Sequence, residues 1–374
     1  MKQIRATFRD VICGRNVLLT PRLGPPFSSR RRRTEPKATR PVPVPVRLDT
    51  TRHDAMAAPA PSPSPSPSRH HRPDEPPSEE EAARDWAGLP WDALLAVLHR
   101  LDHVDVLMGA GQVCSPWRCA ARDEPELWRR VEVRSHADRR PFHTAEPSRA
   151  RRHSCAVLCG LARAAVRRAA GQCEAFCGEG AADDSVLSLL ADEAPSLKSL
   201  RIISGDRIVD GRLRLTVTSF TLLEELELSL CTDVYPGTCE AVGSACPRLR
   251  RFRLSKDGFC KWYTKNIDQE AMAIATMRGL RSLQLFANPL SNDGLAAILA
   301  GCTRLESLDI RHCFNVGMGA AAIRARCPGI HTLRLPRDST IDYDLKFSPQ
   351  DMTPWNTQDE NYCDWHDLIY CSSW

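Results

Sequence analysis

Between Trp91 and Leu101 the apolar residues Leu94, Leu95, Val97, Leu98 and Leu101 recur at three- and four-residue steps, directly after the pair Leu89 and Pro90. That spacing predicts one amphipathic helix of about three turns opened by the proline. A second helical pattern follows through Val104, Leu107, Ala110 and Val113 to Cys114, Pro116 and Trp117, and a third short one carries Leu127 and Trp128 after Pro125. Gly109 and Gly111 fall inside the second pattern, where each costs roughly 1 kcal/mol relative to alanine. Three short helices bury little apolar area by themselves. A segment this rich in large apolar residues therefore calls for a partner surface.

Further along, the pattern changes from helical steps to a repeat of about 25 residues. Leu197-x-x-Leu200-x-Ile202 recurs as Leu223-x-x-Leu226-x-Leu228, Leu249-x-x-Phe252-x-Leu254, Leu280-x-x-Leu283-x-Leu285, Leu305-x-x-Leu308-x-Ile310 and Ile330-x-x-Leu333-x-Leu335. Successive starts lie 26, 26, 31, 25 and 25 residues apart. Two degenerate units precede them: Trp128-x-x-Val131-x-Val133 and Cys173 to Cys177 have the strand outline, with a helical stripe from Ser154 to Ala170 between. Helical segments alternate with the strands, and a cysteine stands three residues before the next strand pattern at Cys246, Cys302 and Cys327. Cys231 and Cys313 follow the strands by three. Small buried thiols suit such turns, so these five read as packing residues.

Leu89, Pro90, Leu94, Leu95, Val97, Leu98, Leu101, Val113, Cys114, Trp117, Leu127 and Trp128 together resemble the F-box, a three-helix module of about 45 residues. The repeats resemble the cysteine-containing class of leucine-rich repeat. The combination is similar to plant F-box/leucine-rich-repeat proteins of the Skp-interacting-partner-19-like group, through LLEELELS at Leu222 to Ser229, LRSLQLFANPLSNDGLAAIL at Leu280 to Leu299, LESLDIRHCFNV at Leu305 to Val316, and the matching text at Ser196 to Ile202 and Leu333 to Thr340. What the resemblance implies is an α/β fold: a short F-box module followed by a solenoid with parallel strands on its concave face and helices on its convex face. The implied domains are a disordered Pro/Arg/Ser-rich arm over 1–80, the F-box over 84–131, repeats over 132–338, and an acidic, aromatic cap or tail over 339–374.

The resemblance also implies a function. A substrate-recognition subunit of a Skp–cullin–F-box ubiquitin ligase would dock on the Skp adaptor, and through it on a cullin–RING ligase. Adaptor-binding candidates, facing the adaptor or supporting the module, are Leu89, Pro90, Leu94, Leu95, Leu98, Leu101, Val113, Cys114, Trp117, Leu127 and Trp128. The alternative is a leucine-rich-repeat interaction scaffold without ligase coupling. The repeats would capture a protein substrate on strand residues that alternate away from the leucines. That column reads Arg201, Glu227, Arg253, Gln284, Asp309, Arg334, with opposite charges adjacent at Arg201/Glu227, Glu227/Arg253 and Asp309/Arg334. It reads either as a self-neutralising ladder or as a docking surface for a mixed-charge partner. The interval of 31 carries an insertion with Phe259, Trp262 and Tyr263 beside Lys261 and Lys265, read either as a recognition loop or as a flap over the repeat ridge.

Composition trims the alternatives. The 374 residues are 42% hydrophobic and 26% charged, in keeping with a globular core plus a small module. Charged residues break every apolar run before membrane-spanning length, so no membrane partner is expected. The net charge of +5 sits in the arm, where residues 1–55 hold thirteen Lys or Arg against four acids. The remainder carries −4, and no nucleic-acid partner is expected. Arg30 to Arg33 in that arm read as a nuclear-localisation cluster or part of an organelle transit peptide. A third reading makes Met56 the native start. Sixteen cysteines without a secretory signal point to a reducing compartment, nucleus or cytoplasm. No C-x-x-C occurs, and Cys155/Cys159 and Cys173/Cys177 have no following histidine pair, so neither metal nor cofactor is expected. Phosphate-loop, zinc-protease, nucleophile-elbow and dinucleotide motifs are missing, and no catalytic residue is expected.

Overall fold

The computed structural model describes residues 86–134, 149–205, 207–231, 234–256 and 267–345. The arm over 1–80, the aromatic insertion with Phe259, Trp262 and Tyr263, and the tail beyond 345 lie outside the described residues.

Helix α1 spans Trp91–Leu98, with Pro90 at its N-cap, and turns Leu94 and Leu98 into the interior. The second sequence pattern, which read as one helix, is instead two. Helix α2 covers His103–Met108 and stops at Gly109, whose backbone leaves helical geometry at φ −120° and ψ −68°, and a 3-10 turn covers Ala110–Gln112. Glycine is the weakest link in a helical run, and the break falls there. Helix α3 covers Ser115–Asp123 with Pro116 in its first turn, where a missing N–H costs nothing. A 3-10 turn at Pro125–Trp128 then leads directly into strand β1, Arg130–Arg134.

From β1 onward each unit is a strand followed by a helix. Helix α4 is Arg149–Arg168, β2 Ala175–Glu179, α5 Asp184–Glu193, β3 Ser199–Ile203, α6 Asp210–Val217, β4 Glu225–Ser229 and α7 Pro236–Ala245. Strand β5 is Arg251–Ser255, α8 Gln269–Ala275, β6 Ser282–Phe286, α9 Asn292–Gly301, β7 Ser307–Asp309, α10 Ala320–Arg326 and β8 Thr332–Arg334. The eight strands form one parallel sheet in sequence order, β1 to β8, with each helix from α4 to α9 packed on the next. Such a stack grows by nearest-neighbour contact alone, the defining property of a solenoid. The apolar residues of the repeat pattern line its core: Leu200, Leu226, Phe252, Leu283 and Leu308 are all buried and in direct register.

Two devices lock one repeat to the next. An acid or amide at the start of a helix accepts a backbone N–H just before the following helix: Asp184 from Val209 at 3.0 Å, Asp210 from Tyr235 at 3.2 Å, Asp268 from Ser291 at 3.0 Å, and Asn292 from Gly317 at 3.1 Å. The cysteines supply the second. Cys302 Sγ lies 3.4 Å from Ile274 O, Cys246 Sγ 3.6 Å from Phe220 O, and Cys313 Sγ 3.2 Å from Leu285 O, each carbonyl belonging to the preceding repeat. Burial pushes the Cys246 and Cys302 thiols up to about 11, so they stay protonated donors rather than nucleophiles. Close packing sets a limit at Gly301, where a Cβ would stand 2.0 Å from the Ala275 carbonyl oxygen.

Candidate functional site

The helical module and the solenoid share Trp128. Its ring is fully buried, its Nε1–H donates to Ala121 O at 3.0 Å, and the Arg168 guanidinium of α4 stands 5.2 Å from the ring centroid. His103 bridges from the other side, tilted against Trp128 at 5.3 Å between ring centroids. The backbone N–H of Glu132 in β1 donates to His103 Nδ1 at 3.3 Å, which leaves Nε2 to carry the proton and donate to Leu127 O at 3.2 Å. The first strand of the array is thus tied by hydrogen bonds and ring packing to the module before it.

The eleven adaptor candidates divide sharply. Leu94, Leu98, Trp117, Leu127 and Trp128 lie in the interior, so these five hold the module together and present no surface of their own. Trp117 also donates from Nε1 to Trp86 O at 2.8 Å. Leu89, Leu95, Leu101 and Cys114 are half-buried, and Pro90 and Val113 are exposed. Sequence reading missed three of the module's exposed large apolar side chains: Trp86 and Trp91 at 46% each and Met108 at 57%, which join Val113 at 46%. Four large apolar groups left in water on one 49-residue module exceed what scattered surface residues explain. The missed signal was Trp91 four residues before Leu95, a spacing that puts both on one side of α1.

The central strand column is in the register read from the sequence: Arg201 opposite Glu227, Glu227 opposite Arg253, and Asp309 opposite Arg334. Two of its pairings form. Arg201 Nε donates to Glu227 Oε2 at 2.6 Å, and Arg253 Nη1 stands 3.4 Å from Glu227 Oε1, while Ser229 Oγ also donates to Glu227 at 2.9 Å. Glu227 is itself 2% exposed, so it is an internal counter-ion and has no surface to offer a partner. The third pairing is replaced. Asp309 binds Arg311 at 2.7 Å, and Arg334 binds Asp342 at 2.8 Å, so each member of the pairing takes another partner of opposite charge.

Asp342 belongs to the stretch that read as an end cap or tail. Its described part takes another course, back along the concave face. Arg311 Nη1 donates to Asp342 Oδ1 at 2.6 Å, Arg253 donates to both carboxylate oxygens of Asp344, and Ser255 Oγ and the Tyr343 hydroxyl share a hydrogen bond of 2.7 Å. Tyr343 packs on Phe286 at 4.2 Å, and Leu345 reaches the cluster of Cys177, Ile203 and Leu230. The sequence therefore crosses from beside β8 to beside β2. Burial opposes the charge on Arg253, and Asp344, Tyr343 and Glu227 more than restore it. Arg253 and Arg311 hold Asp344 and Asp342 below the usual carboxylate range. Among the described residues no cluster of three or more metal-ligating side chains occurs, and no helix is long and apolar enough to cross a membrane.

A helical module with exposed large apolar side chains, running directly into the first strand of a leucine-rich solenoid, defines the class. A family model described as F-box-like matches residues 86–134. The chain is 33% identical to the F-box protein SKIP19 of Arabidopsis thaliana over 296 residues, 76% of this chain and 88% of that protein. It is 34% identical to F-box/LRR-repeat protein 22 of the same plant, covering 71% of this chain and 81% of that protein. A third, F-box/LRR-repeat protein 23, is 33% identical over 264 residues, and the chain spans only 55% of its length. The chain belongs to the F-box/leucine-rich-repeat family.

Proposed function

We propose that this chain is the substrate-recognition subunit of a Skp–cullin–F-box ubiquitin ligase, acting in the nucleus or cytoplasm. It is a non-catalytic adaptor that uses no cofactor. The module docks on the Skp adaptor, and the array holds a protein substrate in reach of the ligase. The observation that carries this reading is the set of apolar side chains exposed on the module, Trp86, Trp91, Met108 and Val113, around a core already filled by Leu94, Leu98 and Trp117. Aromatic residues with unburied area dominate interface energetics, and among the described residues none covers these side chains fully. The tie through Trp128 supports the same reading, since a rigid junction keeps a captured protein at a fixed distance from the ligase. The test is co-expression of the full chain with a Skp adaptor. A stoichiometric complex that reconstitutes with cullin–RING and transfers ubiquitin to an array-bound protein is the expected result. Failure to co-purify with the adaptor removes the ligase role.

A further inference from the structure

We infer that the concave face holds a subsite for an acidic–aromatic peptide segment, and that Asp342, Tyr343 and Asp344 of this chain are its resident ligand. The inference rests on the proposed capture role of the array and deepens it by naming the chemistry recognised. Three cations from separate repeats converge here: Arg253 on β5, Arg311 beyond β7 and Arg334 on β8. Tyr343 lies between two of them, 4.9 Å from the Arg253 guanidinium and 5.1 Å from that of Arg311, measured to the ring centroid. Phe286 forms the floor under the ring, and Ser255 meets its hydroxyl. One aspartate on each side of the tyrosine closes on an arginine: Asp342 on Arg311 and Arg334, and Asp344 on Arg253. Planar guanidinium groups suit this pattern, because one group can pair with a carboxylate and stack on an aromatic face.

Two features mark the arrangement as a binding site with a replaceable occupant. The segment folds on itself through Tyr343 N–H to Thr340 O at 2.9 Å, and it meets the array through its side chains and one backbone carbonyl, Ser339 O, which accepts from Arg311 Nη1 at 2.8 Å, groups that any peptide of the same pattern carries. Its fit is also incomplete. Arg253 Nε is buried with no hydrogen-bond partner among the described residues, so the site keeps one donor that the resident segment does not satisfy. A buried unsatisfied donor is costly, and a ligand with a further acceptor at that point gains over the tethered segment. A tethered segment competes at an effective concentration on the order of 1 mM. A partner must therefore bind well to displace it, and loss of the resident segment sensitises the site.

The experiment uses the full chain and a fluorescent peptide with the sequence of residues 339–345, read by anisotropy. The variant carrying Asp342→Ala, Tyr343→Ala and Asp344→Ala together is expected to bind the peptide at least tenfold more tightly than the unaltered chain. Adding Arg253→Ala removes that binding, and so does replacing the peptide's tyrosine with alanine. A folded triple variant that binds no peptide, or that binds equally well without Arg253, overturns the inference. Should the triple variant not fold, Asp342→Asn with Asp344→Asn keeps the tyrosine anchor and is expected to raise peptide affinity about threefold; no rise overturns the inference as well. Co-purification with the Skp adaptor is measured in parallel. Its success beside absent peptide binding overturns the subsite alone, and its failure beside intact peptide binding overturns the ligase role alone.

Discussion

The two ends of the described chain treat their surfaces in opposite ways. The helical module satisfies its interior and leaves Trp86, Trp91, Met108 and Val113 in water. The solenoid does the reverse with charge: its concave arginines are paired by Glu227, Asp309, Asp342 and Asp344, all from the same chain. Exposed apolar side chains are permanently ready for a constant partner. A face that carries its own counter-ions engages only a ligand able to replace them. The proposed constant coupling at one end and conditional capture at the other rest on this difference in chemistry.

The comparison is broken most severely at the junction. Trp128→Ala removes a fully buried ring and its hydrogen bond, and is expected to cost about 3–5 kcal/mol, lowering the denaturation midpoint and adaptor binding together. Glu227→Ala strands Arg201 on the concave face and leaves Arg253 to its remaining pair with Asp344. The two arginine side chains retain 27% and 15% exposure, so solvent relieves part of the loss and the expected cost is about 2 kcal/mol, read by urea denaturation with adaptor binding unchanged. Trp91→Ala acts at the other end and in the other currency. It should leave stability within about 0.5 kcal/mol and weaken adaptor affinity about tenfold, near 1.4 kcal/mol, by calorimetry.

Smaller effects sharpen the contrast. Ser204 follows β3 with φ +56° and a buried hydroxyl that has no hydrogen-bond partner among the described residues. Ser204→Gly should stabilise the array by about 1 kcal/mol and leave the module alone, because glycine accepts left-handed geometry freely. The smallest effect is the pH response of the concave segment. Asp342 and Asp344 have lowered values when bound, so their contribution is fully present above the free-chain value of 3.8 and is lost as pH falls through the lowered ones. The melting-temperature difference between the unaltered chain and Asp344→Asn should therefore shrink as pH drops from about 6 to about 3.

Periodicity made the repeats legible because each strand buries the same positions and each interval returns to them. The six leucine patterns mark β3 to β8, and the two degenerate outlines mark β1 and β2. The same logic explains what escaped. Hydrophobic stripes select residues that face inward, so five of the eleven adaptor candidates proved to be core, while Trp86 and Met108 lie outside the stripe and Trp91 sits at its exposed first turn. Gly109 was seen as a cost to helix α2, yet whether it ends the helix or bends it depends on packing that no one-dimensional pattern records. The return of the C-terminal segment was beyond reach. Arg253 and Asp344 are 91 residues apart, and nothing in either local pattern points to the other. The inter-repeat ladder of Asp184, Asp210, Asp268 and Asn292 was hidden for a simpler reason, since its members differ in residue type and in position at the helix start.

The central claim is that apolar side chains left outside the helical module exist to engage a Skp adaptor. Calorimetric titration of the adaptor into the full chain tests it most directly, run beside a Trp91→Ala, Leu95→Ala double variant. The account predicts one-to-one binding by the unaltered chain and a loss of at least tenfold in the variant, with the variant still folded and melting cooperatively at a slightly lower temperature because Leu95 is half-buried. Equal affinity in both, or no binding by either, would contradict it.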